Sequence, residues 1–125
     1  MKGLKALAGV LVVSGLLASA VPATAGAAAF KHYVGCGVSR NAKPAHSCPA
    51  KSKKGAFFKS LKGDVNYSVC VKFPGGKHIC TEEPQEASQG TLYVNKITST
   101  NPGRHQVTWF VEGKKVGSFV FTVTG

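Results

Sequence analysis

The sequence predicts an all-β fold, an antiparallel sandwich of about seven strands held by two disulfides. Three observations predict it. Apolar residues recur with a period of two, turn signals containing Gly and Pro interrupt them at short intervals, and no stretch of the exported part keeps a helical period over a helix length. Four cysteines, an even number, complete the pattern expected of a small exported domain.

The N-terminal residues set the compartment. Lys2 and Lys5 give a positive start, residues 4–17 are mainly apolar, and Pro22 closes that run ahead of Ala23-Thr24-Ala25. This is the order of a secretory signal peptide, so residues 1–25 are expected to be removed and residues 26–125 to form one secreted domain. Ala27-Ala28-Ala29 also permits cleavage after Ala29. The apolar run is shorter than the ~20 residues of a membrane span. No second run exists, so no transmembrane segment is expected in the mature form.

The strands follow in order. Residues 30–34 are a short first strand. Residues 37–55, rich in Lys, Ser, Ala, Pro and Gly, lack apolar periodicity and are expected to be a long basic loop. Residues 56–61 form the second strand, and Lys62-Gly63-Asp64 turns the chain. Residues 65–73 carry the strongest signal, with Tyr67, Val69, Val71 and Phe73 on one face and Asn66, Ser68, Cys70 and Lys72 on the other. Pro74-Gly75-Gly76 turns into residues 77–81. Residues 91–98 alternate Leu92, Val94 and Lys96 with Tyr93, Asn95 and Ile97, which leaves the inward face open. Asn101-Pro102-Gly103 leads into residues 106–111, with Val107, Trp109 and Val111 aligned. Glu112-Gly113-Lys114 leads into residues 116–123, with Phe119, Phe121 and Val123 aligned. These inward rows, together with Ile79, are the expected core, and their aromatic rings dominate its burial.

Seven short strands in about a hundred residues match the size and rhythm of an immunoglobulin-like sandwich. A small barrel or a jelly-roll fragment shares that rhythm. The Cys–Trp–Cys order of antibody domains is absent, because Trp109 follows all four cysteines.

The hairpin fixes one expected disulfide. A three-residue loop at Pro74-Gly75-Gly76 sets Phe73 against Lys77, Val71 against Ile79 and Cys70 against Cys80. Directly opposed Cβ atoms are within reach of a bridge. Cys36 and Cys48 then clip the long basic loop. Four cysteines allow two other connectivities. The triplets His46-Ser47-Cys48 and His78-Ile79-Cys80 offer a zinc ligand set, but export favours disulfides and no close Cys-x₂₋₄-Cys spacing exists, so no resident metal is expected. Cleavage after Ala29 would place His32 third from a free amine, the arrangement of a Cu(II) or Ni(II) cage.

Charge points to partners. Cleavage after Ala25 removes Lys2 and Lys5 from a net charge of +11 and leaves +9. Such a charge draws polyanions, among them anionic envelope polymers, lipid headgroups, acidic polysaccharides and extracellular nucleic acid. The candidate basic surface is Lys43, Lys51, Lys53, Lys54, Lys72 and Lys77, with Phe57, Phe58 or Tyr93 interleaved if the long loop folds over the sheet. No RRM, KH or helix-turn-helix signature supports sequence-specific nucleic-acid recognition.

Catalysis has no evident constellation. Asp64 and Glu112 sit in turns, and Glu82, Glu83 and Glu86 share one loop without EF-hand spacing. No nucleophile elbow or phosphate-cradling loop occurs, and nothing in the sequence positions His105 against a serine. No catalytic residue, enzyme activity or cofactor is expected. Asn66-Tyr67-Ser68 is a glycosylation sequon set within a strand. The expected function is that of a secreted binding or envelope-associated module. A secreted inhibitor or toxin-like effector with a protein target is the alternative.

The C-terminal part resembles the terminal hairpin of bacterial immunoglobulin-like domains, on Gly103, His105-Gln106-Val107-Thr108-Trp109 and Val116-Gly117-Ser118-Phe119-Val120-Phe121-Thr122-Val123. Periplasmic copper-carrier sandwiches end with a similar pattern of Gly, Val-x-Trp and Gly-Ser-Phe. Their Asp-Gly-His turn is replaced by Glu112-Gly113-Lys114, and the single Met is Met1, so the resemblance does not carry copper binding over. The whole chain resembles small exported domains common in actinobacteria, which implies a fold and a compartment.

Overall fold

The computed structural model describes residues 29–125. The expected signal peptide and its cleavage after Ala25 lie outside the described residues.

Among the described residues, nine strands form two sheets. They are β1 (Phe30–Gly35), β2 (Ser47–Pro49), β3 (Lys54–Ser60), β4 (Val65–Lys72), β5 (His78–Cys80), β6 (Gln85–Ala87), β7 (Leu92–Ile97), β8 (Gly103–Val111) and β9 (Lys114–Thr124). The small sheet has the order β1-β3-β7. The large sheet has the order β2-β9-β8-β4-β5, and β6 also pairs with β4. Both expected disulfides, Cys36–Cys48 and Cys70–Cys80, are present.

Seven strands lie where the alternation puts them. β2 and β6 are additional, each only three residues long. β2 falls inside the expected loop and runs parallel to the end of β9, with Cys48 opposite Val123. The chain thus leaves β1 in one sheet and joins the other within a dozen residues. Backbone bonds mark the crossing: Ala45 N–H donates to the Val34 carbonyl, and Thr122 N–H to that of His46.

The core lies between the sheets. Tyr67, Val69 and Val71 of β4, with Val107, Trp109, Phe121 and Val123, are buried as the alternation requires. Val34, Ala56, Phe58 and Ile97 of the small sheet meet them. Ile97 is buried while Val94 and Lys96 are exposed, which settles the inward face of β7. The Phe58 ring stacks on Tyr67 at 4.3 Å between centroids. The Tyr67 hydroxyl donates to Asn95 Oδ1, and Asn95 Nδ2 donates to Gln85 Oε1, which ties β6 to both sheets. Burial pushes the Tyr67 phenol up to about 12.

Ile79 corrects the expected core: it is 47% exposed. Its parity matches Val71, but among the described residues β5 is an edge strand paired with β4 alone. Phe57 is a second difference, since it points to the outer face of the small sheet and is nonetheless fully buried. The Tyr33 ring stacks on it at 4.9 Å, and the segment after β1 crosses above. A Cβ on Gly55 would lie 2.7 Å from the Gly37 carbonyl oxygen and 2.7 Å from Val94 Cγ2. Glycine there lets the loop settle on the sheet.

The His32 imidazole stacks on Trp109 with centroids 5.0 Å apart, and a Cβ on Gly117 would collide with it. Gly117 lies opposite Trp109 beside a register shift in β9, so the bulge places a residue without a side chain under the ring. His32 Nδ1 and Trp109 Nε1 are buried without a hydrogen-bond partner among the described residues. Burial lowers the His32 pKa below the usual 6.5. The unfolded chain therefore takes up a proton near pH 6.5 that the folded chain accepts only at lower pH. Stability falls as pH drops below 6.5 and levels off below the folded pKa. His32→Phe is expected to keep the stack and reduce the acid sensitivity. Denaturant midpoints of both proteins at neutral and mildly acidic pH check this, and equal pH slopes would contradict it.

Candidate functional site

The strand register sorts the charges along the sandwich. β2 ends at Pro49, Ala50 N–H donates to the Thr124 carbonyl, and a turn carrying Lys51 and Lys53 leads into β3. Lys54 at the start of β3 lies opposite Ile97 at the end of β7. Gly103 at the start of β8 lies opposite Val123 near the end of β9. Lys72 at the end of β4 lies opposite Gln106 and His78. Lys51, Lys53, Lys72, Lys77, Lys96 and Arg104 therefore gather at one end, and all six are exposed. Asp64, Glu86 and Glu112 lie at the other end, around a shallow cleft of about 290 Å³.

Four of the six expected basic residues belong to this end: Lys51, Lys53, Lys72 and Lys77. Lys43 is exposed on the loop beside Gly35, at the outer margin of the small sheet. Lys54 is a correction, being only 1% exposed. Its Nζ donates to the carbonyls of Ala50 at 3.1 Å and Ser52 at 2.7 Å, so it caps the turn from within. Burial lowers its pKa. The expected interleaving of Phe57 and Phe58 is also corrected, because both rings are fully buried. Lys96 and Arg104 join the cluster instead. They stand alone in the sequence, and only strand pairing brings them to the same end.

This end is concave and partly apolar. Between β5 and β7 the sandwich has no covering strand, and Val71, Phe73, Ile79, Ile97 and Lys96 line a cleft of about 220 Å³. A neighbouring cleft of about 260 Å³ adds Pro74, Lys77 and Ser99. Lysines on the rim and aliphatic groups on the floor suit a ligand with anionic groups on an apolar frame.

The structure supplies the serine that the sequence left unplaced. His105 Nδ1–H donates to the Gly103 carbonyl at 3.0 Å, so Nε2 accepts from the Ser99 hydroxyl at 2.8 Å. The spacing is that of a base and a nucleophile, yet His105 is fully buried between Phe73 and Phe121. The pair anchors the 98–102 connection to β8 beneath the basic end. His46 has a similar anchoring role, with its ring stacked on Phe119 at 4.3 Å and Nδ1 bonded to the Val120 carbonyl at 2.9 Å.

Among solved structures, an immunoglobulin-like protein from Pseudomonas aeruginosa superposes with a TM-score of 0.50 at 16% identity, over 76% of this chain and 91% of that one. The fold is immunoglobulin-like. An alkylpurine DNA glycosylase from Pseudomonas fluorescens, bound to DNA containing an abasic site analogue, gives a TM-score of 0.47 at 12% identity over 78% of this chain and 30% of that one. That likeness carries none of the enzyme's chemistry to this chain. No family model and no curated protein sequence matches it. Two disulfides accord with an oxidising compartment. None of the described residues forms a helix long and apolar enough to cross a membrane.

Proposed function

We propose that the chain is a secreted, non-enzymatic binding module whose basic end docks on a polyanion of the cell envelope. The supporting observation is the gathering of six exposed cations, Lys51, Lys53, Lys72, Lys77, Lys96 and Arg104, at one end, while at the other Asp64, Glu86 and Glu112 stand together with Lys62, Lys114 and Lys115. Attraction to an anionic surface is strongest where cations cluster without carboxylates to offset them.

Co-sedimentation of the mature chain with envelope material across a salt series tests this. Binding is expected at low salt and is expected to vanish at high salt, as counterion screening requires. Lys51→Glu, Lys53→Glu and Lys77→Glu together are expected to abolish it. Lys62→Glu, Lys114→Glu and Lys115→Glu change the charge equally at the other end and are expected to leave more binding. Equal losses would mean that net charge acts without a site. Absence of binding at low salt would end this reading.

A second reading, a secreted inhibitor or toxin-like effector, is favoured by Ile79, exposed beside an apolar cleft at an open sheet edge. Binding to one protein that survives high salt would select it.

A further inference from the structure

The outer face of the large sheet carries a group of residues that the basic end does not use. Cys70 faces Cys80 across β4 and β5, and Lys72 faces His78 in a neighbouring pair. Alternate residues of a strand share a face, so all four project from one side. The two sulfurs and a ring nitrogen of His78 lie within 4.8 Å of one another. We propose that the Cys70–Cys80 disulfide is redox-active and that its opened form is a Cys₂His site for zinc.

The two bridges are differently placed. Cys48 is fully buried under the β2–β9 seam and its partner Cys36 is half-buried, whereas Cys70 is buried and its partner Cys80 is not. Cys80 is exposed on a three-residue edge strand, where a thiolate can reach it. Exposed bridges are the reducible ones. Opening this bridge also leaves the hairpin in place. Phe73 N–H donates to the Lys77 carbonyl at 2.7 Å, Gly76 N–H to that of Phe73 at 3.0 Å, and Thr81 N–H to that of Val69 at 2.9 Å. The two thiols therefore remain opposed.

The chemistry balances with a dithiol as reductant. One of its thiolates attacks Cys80 Sγ and forms a mixed disulfide, and the S–S bond breaks to release Cys70 as a thiolate. The second thiol of the reductant displaces Cys80 and closes the reductant's own disulfide. The bridge has gained two electrons and two protons, and the reductant has lost them. Zinc then takes both sulfurs as thiolates, releasing two protons, and binds the neutral His78 imidazole. With Zn–S bonds of ~2.3 Å the sulfurs stand apart by roughly 3.7 Å, a change that side-chain rotation supplies. The fourth position stays open to water or a ligand.

The test uses the folded mature chain titrated with dithiothreitol, with free thiols alkylated and mapped by peptide mass. Cys70 and Cys80 are expected to be modified while Cys36 and Cys48 remain bridged. After anaerobic removal of the reductant, native mass spectrometry is expected to find one zinc per chain. Cobalt in its place is expected to give a thiolate charge-transfer band. His78→Ala, a surface change that leaves the hairpin intact, is expected to weaken zinc binding at least tenfold, and His46→Ala to leave it unchanged. Opening of Cys36–Cys48 first, no zinc uptake, or equal affinity in His78→Ala would each overturn the proposal.

Discussion

Trp109→Ala is expected to lower the unfolding free energy by about 3–5 kcal/mol, the cost of truncating a large buried aromatic side chain. Typical domains are stable by only about 5–15 kcal/mol in total, so this single change approaches the whole margin. Trp109 is fully buried and stacks against the His32 ring, which lies over Gly117 at the bulge of the neighbouring strand. Removing the indole leaves the imidazole without its stacking partner and opens a void that the two sheets cannot close. Trp109→Phe is expected to cost less, because it keeps a ring in the layer and removes an indole N–H that has no partner among the described residues. Urea denaturation of the three proteins measures the order. A loss below about 1 kcal/mol for the alanine variant would show that the layer is not central to the core.

Cys36→Ser combined with Cys48→Ser is expected to cost about 2–5 kcal/mol, the usual range for a native bridge in a small exported domain. The corresponding change at Cys70 and Cys80 is expected to cost less. The sequence separations, 12 and 10, are nearly equal, so loop entropy does not distinguish them. The surroundings do. The β4–β5 hairpin keeps its turn and its backbone bonds without the bridge. β2 has three residues paired with β9, and Cys48→Ser buries a hydroxyl beneath it. Loss of that bridge also loosens the segment that covers Phe57. Thermal midpoints compare the pairs, and an equal or larger loss at Cys70 and Cys80 would contradict the assignment.

Local signals were legible in the sequence. The alternation in residues 65–73 identifies β4 and its inward face, and Pro74-Gly75-Gly76 sets the hairpin register that places Cys70 opposite Cys80. What long-range pairing decides was not. β2 and β6 are too short to show a period, and their partners lie far along the chain in β9 and back in β4. Phe57 and Phe58 are adjacent and cannot both face inward, so the burial of both depends on a loop laid over the outer face. Ile79 has the parity of a core residue and the position of an edge residue, and parity alone cannot separate the two. Within the basic surface, the Lys51 and Lys53 run was visible as composition. The capture of Lys54 by two turn carbonyls was not, since it depends on how residues 50–54 fold back. Lys96 and Arg104 reach the basic end only through register.

The path of the first strands gives the sandwich a spine. β1 belongs to one sheet and β2 to the other, with the Cys36–Cys48 disulfide between them, so the sheets are bound along that side like pages along a binding. Along the far side, β5 and β7 end their sheets with no strand joining them, and the clefts open there. The Tyr67–Asn95–Gln85 hydrogen bonds tie that side part-way along, so the opening is confined to the stretch beside Ile79 and Lys96. A ligand entering at that margin meets the two sheets where backbone pairing no longer joins them, while the bound side keeps its registration.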